Sequence, residues 1–390
     1  MKYLQIFLIA TIVFCNEGSC CSMYKLTQDG KTIVGNNEDW LVANSQVWFE
    51  PKGSNLFGVM NIGFNDGLPQ GSMNEAGLMF DGFAMPHLEI KNSKGKRKVP
   101  YPELIATIMH NFSSVEEVKE HLSKIDLSYL SKSMLVFVDS RGTYLIVEGD
   151  LMIIGNDAEH SFANFYPSQI TNQEEVDLEF FQNGIMHLNE SKPEASFNYC
   201  GSVMNNFQQF ITQYTTIYDL QERKIRLYHY QNYEDFIELD LVEELKKGKR
   251  KMSIPELFPK QTKGYKYYRA YNNSRAITEY YRNFWLNDND ENNTNSKKLS
   301  EAGMIQILNI IANDWSNTKE DKKGAISILQ LIVELFPKNY KGYDILANAF
   351  YMDSNYELAI FNYSKSLELN PKNELAKKNI KKINKMKRKH

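Results

Sequence analysis

The amino-acid sequence predicts an α+β chain, in which a layered, sheet-rich domain with antiparallel strands is followed by a small all-α domain of helical repeats. Three observations predict this organisation. Short apolar segments are joined by turns such as Asp29-Gly30, a strong hairpin signal. Two amphipathic helices, expected at 101–112 and 113–125, separate groups of strands. Beyond residue 300, apolar residues recur at helical spacing.

The remaining segments follow ordinary strand and helix patterns. Ser113-Ser114-x-Glu116-Glu117 is a capping pattern that opens the second helix. Further strands are expected at 134–139, 144–148, 213–220, 224–230 and 235–239, and further helices at 174–188, 240–248 and 301–315.

Residues 1–20 have the three-part pattern of a secretion signal, with Lys2, an apolar core from Tyr3 to Phe14 and a polar end. The core, about a dozen residues, is shorter than the roughly 20 that span a bilayer. No stable membrane span is therefore expected. Cleavage after Cys20 would make Cys21 the first residue of a secreted or periplasmic protein.

Two alternatives would disable Cys21. A bacterial lipoprotein signal would acylate its amine, but Glu17 or Gly18 stands where an aliphatic residue is expected. A disulfide between Cys21 and Cys200, the cysteines left after removal of the signal, would block its thiol.

Composition sets few limits on function. An apolar content of 42% is ample for a core, and a net charge of −3 indicates no particular class of partner. The predicted organisation is a signal at 1–20, a catalytic domain at 21–260, a linker at 261–300 and a helical-repeat domain at 301–390. Nucleic acid is not an expected partner of a secreted chain.

An N-terminal cysteine combines a nucleophile and a base in one residue. Its α-amine has an ordinary pKa of about 7.7–8.0, so near neutral pH a fraction of it can accept the thiol proton. The hairpin at Asp29-Gly30 would bring Asn36 and Asp39 back towards Cys21.

The motifs around this cysteine resemble a known family. Cys21-Ser22, the hairpin and then Gly35-Asn36-Asn37-Glu38-Asp39-Trp40 are similar to the opening of the choloylglycine hydrolase and penicillin V acylase family, the linear amide C–N hydrolases. Asn74-Glu75-Ala76-Gly77-Leu78, by itself a turn followed by a strand, resembles a second signature, and Ala163-Asn164-Phe165 a third. The resemblance extends over about 21–259 and implies the four-layer αββα sandwich of N-terminal nucleophile hydrolases.

The resemblance also implies roles for individual residues. Cys21 would be the nucleophile, and Asp39 would orient and hold the protonated α-amine. The Asn164 side chain and the Ala84 backbone N–H would stabilise the oxyanion. Penicillin acylases and bile salt hydrolases have an arginine just after the hairpin, where this chain has Asn36, and this difference argues against a bile-salt-like specificity.

The activity that the resemblance implies is hydrolysis of an N-acylated amine or amino acid through an acyl-thioester. The aromatic segment 57–86 is either an acyl pocket or part of the core. Two alternatives stay open: either the enzyme transfers the acyl group to a second amine, or the chain is a secreted binding protein that uses a degenerate hydrolase domain as a scaffold. No cofactor is implied, and no histidine cluster with metal-ligand spacing occurs. His229 is expected to be structural.

The C-terminal region predicts tetratricopeptide-like repeats. Tyr343, Leu346, Ala347, Phe350, Ala359, Tyr363, Ser366 and Pro371 fall at the spacings of one repeat. A weaker copy lies 34 residues earlier, with Ala325, Leu329 and Pro337. The polar run 287–296 is too hydrophilic to pack and fits a linker. The repeats indicate either a groove for a protein or peptide partner or a structural appendage.

Overall fold

The structure is a computed structural model that describes residues 21–53, 56–288 and 299–387. The predicted signal at 1–20 and most of the polar run 287–296 lie outside the described residues. The chain divides into two compact units after Tyr265. Within the described residues, no helix has both the length and the apolar character needed to cross a bilayer.

The first unit is built on two antiparallel sheets. In chain order its strands are β1 (Ser22–Gln28), β2 (Lys31–Asp39), β3 (Ser45–Glu50), β4 (Val59–Phe64), β5 (Pro69–Asn74), β6 (Met79–Ala84), β7 (Arg97–Lys98), β8 (Ile125–Asp126), β9 (Ser133–Val138), β10 (Tyr144–Glu148), β11 (Leu151–Gly155), β12 (Glu159–Ala163), β13 (Thr212–Asp219), β14 (Lys224–His229), β15 (Asn232–Asp240) and β16 (Arg250–Ser253). The first sheet has the order β12-β1-β2-β13-β14-β15, and the second β11-β10-β9-β6-β5-β4-β3-β16. β7 and β8 form a separate short pair.

Helices cover the outer face of each sheet. The helices of this unit are α1 (Tyr101–Asn111), α2 (Val115–Ser123), α3 (Glu179–Glu190), α4 (Phe197–Asn206) and α5 (Leu241–Lys246). Phe181 of α3 and Val203 of α4 pack with Tyr24 and Ile217 of the first sheet. The second sheet packs in the same way on α1 and α2. Since each sheet buries one face under helices, the expected αββα order of layers is confirmed.

The inner faces of the two sheets meet. The rings of Phe64 on β4 and Tyr214 on β13 lie 6.0 Å apart between centroids. Inward-facing side chains are therefore shielded from water by both sheets.

The hairpin that begins the first sheet forms as predicted. Asp29 and Gly30 have φ angles of 53° and 78°, the left-handed pair that a two-residue turn between antiparallel strands requires. Gln28 pairs with Lys31, and the ladder continues to Ser22 opposite Asn37. The expected capping box of α2 is also present, between Ser114 and Glu117.

The Asn-Glu-x-Gly-Leu motif is an architectural turn between β5 and β6. The Asn74 side-chain oxygen accepts from the backbone N–H groups of Ala76 and Leu78, each at 3.0 Å. Its amide donates to the carbonyl oxygens of Met109 and Phe112, each at 2.8 Å, and so fixes the end of α1. Every polar atom of this buried side chain is thus occupied by backbone.

Two apolar residues of the segment 57–86 belong to the core beneath the helices. Val59 and Phe80 are buried and pack with α1 and α2 on the outer face of the second sheet. They are directed away from the space between the sheets. The acyl-pocket interpretation therefore does not hold for these two side chains.

The second unit is all-helical, as expected. With α6, which straddles the division, its helices are α6 (Lys263–Tyr271), α7 (Ser274–Asp288), α8 (Glu301–Asn317), α9 (Lys322–Leu335), α10 (Tyr340–Met352), α11 (Tyr356–Leu369) and α12 (Glu374–Lys387). Consecutive helices from α8 to α12 pack on one another. The Asn373 amide donates to Asp344 at 2.7 Å and to Ser366 at 2.8 Å, which joins α10, α11 and α12. The tetratricopeptide assignment stays a prediction.

Two predicted boundaries need correction. The range 261–300, expected as a linker, contains α6 and α7, because Tyr271, Ile277 and Tyr281 bury their side chains. The helix expected at 174–188 begins only at Glu179, because a short 3-10 turn capped by the Asn172 side chain precedes it.

Gly77→Ala is expected to destabilise the first unit more than Gly67→Ala. Both glycines have positive φ, +81° and +76°, so either alanine should cost about 1–2 kcal/mol in backbone strain. A Cβ at Gly77 would also overlap the Leu220 carbonyl oxygen, whereas nothing lies within 4 Å of one at Gly67. Urea unfolding measures both variants. Equal losses would mean that the Leu220 contact does not constrain this turn.

Candidate active site

Cys21 lies immediately before β1, between two neighbouring strands. Ser22, the first residue of β1, pairs with Ala163 at the end of β12 and with Asn37 of β2. The residues next in register are Asn164 on one side of Cys21 and Glu38 on the other. The position of β1 between β12 and β2 thus brings Asn164 and Glu38 to the two sides of one buried cysteine.

The Cys21 thiol is surrounded by acidic groups. It lies opposite Glu38 in the register of β1 with β2, next to Asp39. Burial, followed by the negative charges of Glu38, Asp39 and Asp81, raises the pKa of the Cys21 thiol well above its ordinary value. In this environment the thiol needs a proton acceptor before it can act as a nucleophile.

Asp39 is a buried carboxyl held in place by the residues that enter β13. One oxygen accepts a hydrogen bond from the Thr212 hydroxyl, and the other accepts one from the Gln209 amide at 2.6 Å. Burial raises the pKa of Asp39 to about 7, and the two hydrogen bonds oppose that rise. Asp39 therefore has a fixed orientation beside the start of β1.

Asn164 links the two sheets beside Cys21. Its Nδ2 donates to the Ala84 carbonyl oxygen at 2.5 Å. A side-chain amide has two N–H donors, so one stays available after this bond. The structure therefore brings Asn164 and Ala84 together, but the Ala84 group in this contact is the carbonyl rather than the predicted N–H donor.

Asn36 lies farther along β2. It pairs with Met23 and Thr216, two residues from the level of Cys21, and shares a strand face with Glu38. Its Nδ2 has no hydrogen-bond partner among the described residues. Asn37, by contrast, points outward and donates to the Met204 carbonyl oxygen at 2.9 Å.

Glu38 and Asp81 are inward-facing carboxyls to which the sequence motifs assigned no role. The alternation of β2 is the signal that could have identified Glu38, since it follows Asn36 by two residues and lies opposite Cys21. Asp81 carried no comparable signal, because it belongs to a strand of the second sheet. Only the packing of the two sheets brings it near the thiol.

The other residues singled out from the sequence lie elsewhere. Both Cys21 and Cys200 are free, so the alternative of a disulfide between them is wrong. Cys200 belongs to the core between α4 and the outer face of the first sheet. His229 is buried, which lowers the pKa of its imidazole to about 4, and it packs on the Phe258 ring at 5.4 Å.

Residues 20–160 match the family model of the linear amide C-N hydrolases, choloylglycine hydrolase family. The predicted resemblance is confirmed over these residues. The match indicates a hydrolase that acts on linear amide C–N bonds. It contains Cys21, Asp39 and Ala84 and ends before Asn164, so it is shorter than the predicted 21–259.

A solved structure is also similar to this chain. The solved structure of penicillin V acylase from Agrobacterium tumefaciens is similar at 14% identity, covering 60% of this chain and 90% of that chain with a TM-score of 0.47. No curated protein matches the chain.

Asp39→Asn is expected to flatten the pH dependence of stability of the full 1–390 chain. The pKa of about 7 in the folded state exceeds the value of about 3.9 for an unfolded aspartate. Stability linked to Asp39 is therefore complete below about pH 4 and is lost as pH rises towards 7. Urea unfolding across this range gives the slope, and Asp177→Asn, at an exposed aspartate, is the control. An unchanged slope in Asp39→Asn would contradict the assignment.

Proposed function

We propose that the protein is a secreted or periplasmic cysteine amidohydrolase that cleaves an N-acylated amine or amino acid, with Cys21 exposed as the N-terminal residue by removal of 1–20. The observation that carries this proposal is the position of Cys21 between Asn164 and the carboxyls of β2, within a chain whose residues 20–160 match the linear amide C–N hydrolases.

The proposed reaction starts with attack of the Cys21 sulfur on the amide carbonyl. The α-amine accepts the thiol proton, and Asp39, fixed by Thr212 and Gln209, holds the resulting ammonium. The second N–H of Asn164 and the Ala84 backbone N–H stabilise the tetrahedral oxyanion. The amine then protonates the leaving group, and water hydrolyses the thioester. A free ammonium beside Asp39 would lower the pKa of that carboxyl.

The charges near Cys21 bear on the substrate. Glu38, Asp39 and Asp81 all act on the thiol, and Asn36 supplies no positive charge on this face. A neutral or cationic N-acyl substrate fits these surroundings better than an anion such as a bile salt. Acyl transfer to a second amine is the alternative outcome of the same thioester.

Cys21→Ala is expected to abolish amide hydrolysis while leaving the fold intact, because it removes only the nucleophile. Cys200→Ala is the matched control, since it removes the other buried free thiol and should keep activity.

Intact mass and N-terminal sequencing, with and without iodoacetamide, test the processing step. Activity that survives in Cys21→Ala would overturn the role of Cys21 as nucleophile, whereas a mature chain that starts elsewhere would overturn the proposal in favour of a binding scaffold.

Asn164→Ala is expected to lower kcat by about 10²- to 10³-fold with little change in KM, because an oxyanion donor acts in the transition state. The exposed helix residue Asn205 provides the control variant Asn205→Ala. Steady-state kinetics on a hydrolysed N-acyl amide measures both. A rise in KM with unchanged kcat would assign Asn164 to substrate binding instead.

A further inference from the structure

Glu38 occupies a position that neither the family resemblance nor the proposed reaction uses. Along β2, Asn37 points outward to α4, whereas Glu38 points into the space between the sheets. It lies across the β1–β2 ladder from Cys21, on the same face. The geometry of an antiparallel pair therefore brings the carboxyl to the thiol.

The two groups act on each other electrostatically, because each is a cause of the other's pKa shift. Glu38 is only 5% exposed. Its Oε2 has no hydrogen-bond partner among the described residues. A buried carboxyl with an unfilled acceptor position is an unfavourable arrangement for stability alone, and it leaves Glu38 free to take up a proton.

The groups that surround Glu38 are acids and phenols. They are Cys21, Asp39 of β2, Asp66 between β4 and β5, Asp81 of β6, Tyr101 of α1, and Tyr214 and Tyr218 of β13. Burial and the charge of Asp39 raise the pKa of Glu38 above the ordinary range of a glutamate, and the nearby Cys21 thiol opposes this shift. Such a carboxyl is a stronger base than an exposed one.

We propose that Glu38 is a catalytic acid–base residue that takes the proton of the Cys21 thiol during attack and returns it to the leaving amine. The inference rests on the proposed role of Cys21 as nucleophile. The thiol has a single proton, so Glu38 takes the place of the α-amine as its acceptor, on the side of the sulfur that faces β2.

The protons and electrons balance at each step. The S–H bond breaks as the sulfur electron pair forms the bond to the carbonyl carbon, and the proton moves to Glu38. The carbonyl π electrons move to oxygen. Collapse of the oxyanion breaks the C–N bond, and the leaving nitrogen takes the proton from Glu38. In the second half, Glu38 accepts a proton from the attacking water and delivers it to the departing Cys21 sulfur.

The rate at which iodoacetamide alkylates Cys21 tests this role without a substrate. If Glu38 acts as a proton acceptor, Glu38→Gln should slow alkylation near pH 7 by at least about tenfold and flatten the pH profile between about pH 5 and pH 9. If Glu38 only repels the thiolate, its removal should lower the thiol pKa and speed alkylation. Unchanged or faster alkylation would therefore overturn the proposal.

Three variants complete the experiment. Glu38→Asp keeps a carboxyl and should recover part of the rate. Glu148→Gln replaces a buried glutamate of β10 and should leave the rate unchanged, which controls for loss of a buried charge. Cys21→Ala identifies the labelled residue by peptide mass. Circular dichroism and urea unfolding show whether Glu38→Gln is folded. If it is not, the wild-type pH profile decides, because an alkylation rate that rises only above about pH 9 would mean that no neighbouring group takes the thiol proton and would overturn the proposal.

Hydrolysis assays separate this inference from the proposed function. A wild-type protein that hydrolyses an N-acyl amide, with Glu38→Gln equally active and equally alkylated, would refute the role of Glu38 and keep that of Cys21. A protein with no amidase activity, whose Cys21 reactivity still depends on Glu38, would refute the amidase and keep the Cys21–Glu38 pair.

Discussion

The pairing of β1 with β12 on one side and β2 on the other is the constraint on which the candidate site depends. β1 begins one residue after Cys21, so both ladders end at the level of the thiol. The β1–β12 ladder places Asn164, which follows Cys21 by 143 residues, on one side of the thiol. The β1–β2 ladder places Glu38, which belongs to the adjoining hairpin, on the other side. A one-residue slip in either register would turn Asn164 or Glu38 to the opposite face.

Buried carboxyl and phenol groups lie in the space between the two sheets. Glu38 and Asp81 are both buried, and burial raises the pKa of each carboxyl; the charge of Asp39 adds to the rise for Glu38, and the charge of Glu38 adds to it for Asp81. The hydroxyls of Tyr214 and Tyr218 also lack hydrogen-bond partners among the described residues. Buried polar atoms without partners reduce stability, so a fold selected only for stability would replace them with apolar groups. Their concentration near one thiol is better explained by chemistry than by architecture.

Much of the first unit could be predicted, because contacts between near neighbours in the sequence determine its turns and helix starts. Asp29-Gly30 requires a tight hairpin, and Ser114 with Glu117 marks a helix start through contacts between near neighbours. The candidate residues Cys21, Asp39 and Asn164 were accessible through motifs. Asp81 was not, because its relation to the thiol exists only when two sheets pack. The helices within 261–288 carried a weak signal in the sequence, because their buried tyrosines lie among polar residues.

Asn36 and Glu38 are best understood as a pair, because they share the inward face of β2. An arginine at position 36, as the penicillin acylases and bile salt hydrolases have after the hairpin, would place a permanent positive charge near Glu38 and Asp39. Such a charge would keep both carboxyls ionised and paired, with a lower pKa. Asparagine carries no charge, so the carboxyls keep the raised pKa that burial imposes. In the proposed reaction, Asn36 thus leaves Glu38 able to exchange a proton with Cys21.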